Sequence, residues 1–137
     1  MRKIFSMFIL YVFIILNTSA SDHDIYTINI KDDNPKNILF VGNSYLYYND
    51  SLHNHFKRIV EEKYPDYDGG SSVKSATIGG SRLKHHNMDH LLGSKTISTV
   101  DKFDLVILQG GSGESLSKTD REEFFKTAKT HTDKIKS

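Results

Sequence analysis

The sequence predicts an α/β domain built on a parallel sheet, and two observations lead to this prediction. First, residues 37–41 and 104–108 form short apolar runs, a pattern typical of strands buried on both faces, and residues 72–78 between the glycine pairs 69–70 and 79–80 are predicted as the second strand. Second, segments with apolar residues at helical spacing lie between and after these runs. Strands that alternate with helices favour βαβ units and right-handed crossovers.

Residues 1–20 have the layout of a secretory signal peptide. Arg2 and Lys3 precede an apolar run over residues 4–16, and small residues lead to a predicted cleavage site after Ala20. The run is shorter than the roughly 20 residues that a membrane-spanning helix needs. We therefore expect a secreted or periplasmic protein with no stable membrane anchor after cleavage. Residues 21–36 form a polar leader segment, and the predicted domain occupies residues 37–137.

Composition excludes several functional classes. The chain contains no cysteine, which excludes a disulfide framework and a cysteine nucleophile. Its formal charge of +1 argues against a nucleic-acid binder, because such proteins carry a basic excess.

A helix is predicted after each strand. Residues 52–64 and 83–92 follow the first two strands, and Thr119 with Glu122 is predicted to form a capping box for the third helix. The apolar face of that helix comprises Phe124, Phe125, Ala128 and Ile135. No predicted strand follows this helix, whereas open α/β sheets commonly have about five or six strands. We therefore expect this chain to be the N-terminal part of a longer protein.

Three loops rich in glycine and serine follow the strands, at residues 42–45, 78–81 and 109–114. Ligands of open α/β sheets bind beyond the carboxyl ends of the strands, where these loops meet. Glycine allows backbone amides to approach a ligand, and a serine after a strand can act as a nucleophile. The loops therefore predict a site for nucleophilic chemistry or for ligand binding.

These loops carry a resemblance to a known family. Residues 38–45, with Gly42-Asn43-Ser44 at the strand end, resemble the first block of the SGNH (GDSL-like) hydrolases. Residues 79–83 resemble the second block and residues 103–113 the third. The resemblance implies a three-layer, flavodoxin-like parallel sheet with flanking helices, here ending after the third strand and its helix. It implies no cofactor.

The resemblance assigns roles to individual residues. Ser44 matches the nucleophile, and its own backbone amide would be one oxyanion donor. Gly80 matches the second donor, with Gly79 as the adjacent alternative. Asn43 would support the turn around Ser44.

The sequence departs from the family pattern in two places. Gly113 stands where the family has an asparagine donor, which leaves Gln109 as a candidate substitute. The family's general base comes from an Asp-x-x-His segment near the C-terminus, and no such segment follows the third predicted strand, where His131 precedes Asp133 in the reverse order. His86 is the best internal candidate for a substitute base.

His86 and His90 are four residues apart, but no third ligand is fixed by spacing, so we predict no metal site. Tyr45, Tyr47 and Tyr48 either border the cleft or pack on the first helix.

The leading hypothesis is an exported ester hydrolase that acts on O-acyl or O-acetyl esters of small molecules or carbohydrates. The alternative is a non-catalytic domain that binds a sugar or an anion on the same scaffold.

Overall fold

A three-stranded parallel sheet forms the centre of the computed structural model, which describes residues 35–137. The strands are β1 (Ile38–Gly42), β2 (Val73–Thr77) and β3 (Leu105–Leu108), in the order β2-β1-β3. Ile38 pairs with Val73 on one side and Leu105 on the other. The predicted α/β parallel sheet is confirmed. The predicted signal peptide and residues 21–34 of the leader lie outside the described residues.

Helices and short helical turns connect the strands. The helices are α1 (Ser44–Tyr47), α2 (Leu52–Lys63), α3 (Gly69–Ser72), α4 (Met88–Leu91) and α5 (Lys118–Lys136), and two 3-10 turns span Leu83–His85 and Ser112–Ser115.

The central strand β1 is buried along its whole length. Because successive side chains of a strand point to opposite faces, β1 contributes to two apolar clusters. Leu39 and Val41 pack with Met88, Val100 and Phe103 on one face of the sheet. Truncation of a buried leucine such as Leu39 to alanine typically costs about 2–5 kcal/mol of stability.

The second cluster lies on the opposite face of the sheet. Ile38 and Phe40 pack there with Leu46 and Val73, and Phe56 of α2 covers them. Since Ile135 of α5 packs on the first cluster, helices flank the sheet on both faces.

The single helix predicted over residues 83–92 is wrong. The structure has the 3-10 turn Leu83–His85 and then the separate helix α4. His86 and Asn87 between them have extended backbone, and the Asn87 side chain caps α4 by accepting a hydrogen bond from His90 N. A side-chain cap inside the segment therefore starts a new helix.

Helix α5 begins earlier than predicted, and its buried face differs. Ser117, rather than Thr119, is the N-cap, and its Oγ accepts a hydrogen bond from Asp120 N at 3.0 Å. Phe125 is 65% exposed, whereas His131 is buried. The buried face therefore contains a polar residue, and Phe125 does not belong to it.

Candidate active site

The three predicted loops line one cleft at the carboxyl ends of the strands. Its volume is about 290 Å³. The first loop and α1 contribute Asn43, Ser44, Tyr45 and Tyr48, the second contributes Gly80, Ser81 and Arg82, and the third contributes Gly111, Ser112 and Gly113. Parallel strands bring these loops to the same edge, as expected for an open α/β sheet.

Asn43 fixes the position of Ser44 at the end of β1. The Asn43 side chain is buried; its Oδ1 accepts a hydrogen bond from Tyr45 N at 3.1 Å, which caps α1. Its Nδ2 donates to Ser81 O at 2.9 Å, which joins the first loop to the second. Ser44 is thereby held as the first residue of α1, half-buried on the cleft wall.

The polar groups of Ser44 and Gly80 are open to a ligand. Within residues 35–137, neither the Ser44 hydroxyl nor the backbone amides of Ser44 and Gly80 make a hydrogen bond. Gly80 has φ of +65°, a left-handed conformation that favours glycine. One hydroxyl and two amides therefore have free hydrogen-bonding capacity on the same cleft.

Gly113 lines the cleft, but the structure does not bring Gln109 or Gly79 to it. Gln109 Oε1 accepts a hydrogen bond from Asn43 N at 3.0 Å, and Gln109 Nε2 donates to Gly110 O. Its amide is therefore engaged with the backbone behind the cleft. Gly79 is exposed and faces Tyr47.

His86 lies near a different serine from the one predicted. His86 Nε2 is 3.2 Å from Ser81 Oγ, and both residues are buried. Burial, followed by the charge of His131, lowers the pKa of His86 below its usual value of 6.5, which favours the neutral imidazole. His86 lines a neighbouring cavity of about 310 Å³ rather than the Ser44 cleft. Within the described residues, the hydroxyl that His86 contacts is therefore that of Ser81 and not that of Ser44.

Two charged residues of the site were missed by sequence reasoning. Arg82 lines the cleft, and its guanidinium forms ion pairs with Asp120 at 2.6 Å and Glu123 at 3.4 Å. Hydrogen bonds from Ser117 and Arg82 lower the pKa of the Asp120 carboxyl. Glu114 is buried behind the cleft, between the second and third loops. No local sequence pattern indicates these contacts, because the partners of Arg82 lie 38 or more positions away.

Tyr45 and Tyr48 lie on the rim of the cleft and are 61% and 64% exposed. Tyr47 does not line the cleft; its ring contacts Tyr48 edge-on with centroids 5.4 Å apart. Two of the three tyrosines thus border the site, where a ring face is open to a ligand.

Residues 35–137 contain no cluster of three or more metal-ligating side chains in a suitable arrangement. None of the helices in this part of the chain is both long and apolar enough to cross a membrane. No family model matches the sequence, and no match was found among curated proteins or solved structures.

Proposed function

We propose that the protein is an exported serine ester hydrolase of the SGNH type, which acts on O-acyl or O-acetyl esters of small molecules or carbohydrates. The observation that carries this proposal is the free Ser44 hydroxyl on a cleft that also holds the free amides of Ser44 and Gly80. A hydroxyl next to two unpaired amides fits the chemistry of acyl transfer.

The proposed reaction uses these groups in sequence. Ser44 Oγ attacks the ester carbonyl carbon and loses its proton to a general base, and the carbonyl oxygen becomes an oxyanion that the Ser44 and Gly80 amides stabilise. Collapse of the tetrahedral intermediate expels the alcohol, which takes up the proton, and leaves an acyl group on Ser44 Oγ. Water, deprotonated by the same base, then releases the acid and restores the serine.

The general base is the part of this machinery that residues 35–137 do not bring to the cleft, since no histidine lines it. An uncharged serine hydroxyl is a weak nucleophile without such a base. In the family that the chain resembles, an Asp-x-x-His segment near the C-terminus supplies this base, and no histidine of residues 35–137 takes that place on the cleft.

We also propose that the sheet is of the flavodoxin-like type. The order β2-β1-β3 supports this, because it matches the first three strands of the order 2-1-3-4-5 in that fold. On such a sheet the cleft lies at the switch point beside the central strand, where Ser44 lies.

The test is hydrolysis of p-nitrophenyl acetate by the protein expressed with any coding sequence that follows the Ser137 codon. Ser44→Ala should abolish turnover, whereas Ser112→Ala, a change to another serine of the same cleft, should retain it. Equal rates for Ser44→Ala and the parent would remove Ser44 from the mechanism.

A second candidate function is non-catalytic binding of a sugar or an anion at the same cleft. The absence of a histidine from the cleft lining within residues 35–137 favours it. It predicts thermal stabilisation by the ligand without turnover, and no reaction of Ser44 with a fluorophosphonate.

A further inference from the structure

Glu114 is a buried carboxylate whose hydrogen-bond partners are backbone amides. Its side chain accepts from Leu83 N at 3.1 Å and 3.2 Å through its two oxygens, and from Gly111 N through Oε2. Only 5% of the residue is exposed. An ionised carboxylate is costly to bury unless hydrogen bonds compensate it, so these bonds account for its place in the interior.

The two amides belong to the chain segments that form two neighbouring walls of the cleft. Leu83 follows the second loop three residues after Gly80, and Gly111 belongs to the third loop. These walls are in direct contact, since a Cβ atom on Gly111 would lie 2.8 Å from Ser81 O. Glu114 therefore ties the segment that carries the Gly80 amide to the neighbouring loop.

The same segment is held from a second side by α5. His131 Nε2 lies 3.2 Å from Leu83 O, and Arg82 pairs with Asp120. Asn43 holds Ser81 O from the first loop. Glu114 differs from these residues because its carboxylate accepts hydrogen bonds from two backbone amides at once, Leu83 N after the second loop and Gly111 N in the third loop.

We propose that Glu114 is a positioning residue that sets where the Gly80 amide lies relative to Ser44, an inference that rests on the proposed hydrolase function. An oxyanion donor acts only within a narrow range of distance, and a displacement of about 1 Å in a positioned group can cost about a hundredfold in rate. A glutamine at this position keeps the shape but turns one NH2 group toward an amide donor, which removes an acceptor that Leu83 N or Gly111 N needs.

The experiment compares Glu114→Gln with Glu122→Gln, a matched change at an exposed position of α5. Both are made in the protein expressed with any coding sequence that follows Ser137. Values of kcat and KM for p-nitrophenyl acetate are measured per active site, titrated with a fluorophosphonate, and folding is checked by thermal unfolding. We expect Glu114→Gln to lower kcat about tenfold to a hundredfold with KM within about threefold, and Glu122→Gln to match the parent.

Glu114→Asp is measured alongside, because it keeps the charge but shortens the reach by one methylene group. It should fold and also lose kcat, so the test does not depend on the folding of one variant. Parent kcat in either folded Glu114 variant would overturn the positioning role while Ser44-dependent turnover still supports the hydrolase. Turnover that survives Ser44→Ala would instead overturn the proposed function and the role of Glu114 together.

Discussion

Ser44 and Ser81 lie on adjacent loops of one cleft, but the protein surrounds them differently. Ser44 is half-buried on the cleft wall, and its hydroxyl makes no hydrogen bond within residues 35–137. Ser81 is buried and its hydroxyl lies 3.2 Å from His86. A reactive serine needs both access to substrate and a base. Among the described residues, Ser44 is accessible from the cleft but has no histidine beside its hydroxyl, whereas Ser81 has a histidine but is buried.

If Ser44 is the nucleophile, as we propose, the serine–histidine contact in this cleft belongs to a serine with a structural role. The carbonyl of Ser81 accepts from Asn43, and its hydroxyl contacts His86, so Ser81 serves as a structural link between loops. Ser44 has no such structural contact through its side chain in the described part of the chain.

The largest effect is expected on turnover. Ser44→Ala should lower the rate of p-nitrophenyl acetate hydrolysis by about a thousandfold or more, because loss of the nucleophile removes the covalent route. Ser81→Ala should stay within about threefold of the parent. The measurement is the initial rate per folded protein, and a greater loss for Ser81→Ala than for Ser44→Ala would reverse the two roles.

The next effect is on stability. Asn43→Ala should lower the free energy of unfolding by about 2 kcal/mol, because it removes the α1 cap and leaves the buried Ser81 carbonyl without its partner. The control is Asn54→Ala, whose side chain makes only a 3.5 Å contact with Asp50 on the surface. Urea unfolding measures both variants, and equal midpoints would contradict the linking role of Asn43.

A smaller effect on the free energy of unfolding, measured by urea unfolding, is expected at Gly80 and Gly113, two of the three glycines that line the cleft. Gly80→Ala should lower the free energy of unfolding by about 1 kcal/mol, because a residue with a Cβ atom is strained at φ of +65° even though the surrounding space is open. Gly113→Ala should be nearly neutral, since its backbone is not left-handed and the nearest atom, Arg82 Nη2, is 3.8 Å from the added Cβ. A larger loss in Gly113→Ala would show that the cleft tolerates no added methyl group there.

The smallest effect concerns pH. Because burial lowers the pKa of His86, the unfolded chain binds its proton more readily, and stability should fall as the pH drops below about 6.5. His86→Gln removes this contribution, so its stability should depend less on pH between pH 7 and pH 5.5. Thermal unfolding across that range provides the measurement. An unchanged pH dependence would mean that His86 is not responsible.

Local sequence patterns predicted the sheet well. The predicted strands at 37–41 and 104–108 differ from β1 and β3 by at most one residue at either end, because both runs are apolar at nearly every position. Only β1 is fully buried, whereas β3 is half-buried along its length. The meeting of the three loops followed from parallel topology alone.

Contacts between distant positions could not be predicted in this way. Gln109 was a candidate oxyanion donor, but its side-chain oxygen accepts a hydrogen bond from Asn43 N, 66 positions away, and it does not line the cleft. His86 was the best internal candidate for a substitute base, but its ring contacts the Ser81 hydroxyl. The burial of Glu114 and the ion pairs of Arg82 could not be predicted, since a charged residue in a polar loop is usually exposed to solvent.

The most direct test is to label the protein, expressed with any coding sequence that follows Ser137, with a fluorophosphonate and to map the modified residue by mass spectrometry. Trypsin places the two serines in separate peptides, residues 37–57 for Ser44 and residues 75–82 for Ser81. We expect the label on Ser44, with labelling abolished by Ser44→Ala and retained in Ser81→Ala. A label on Ser81, or none on either peptide, would contradict it.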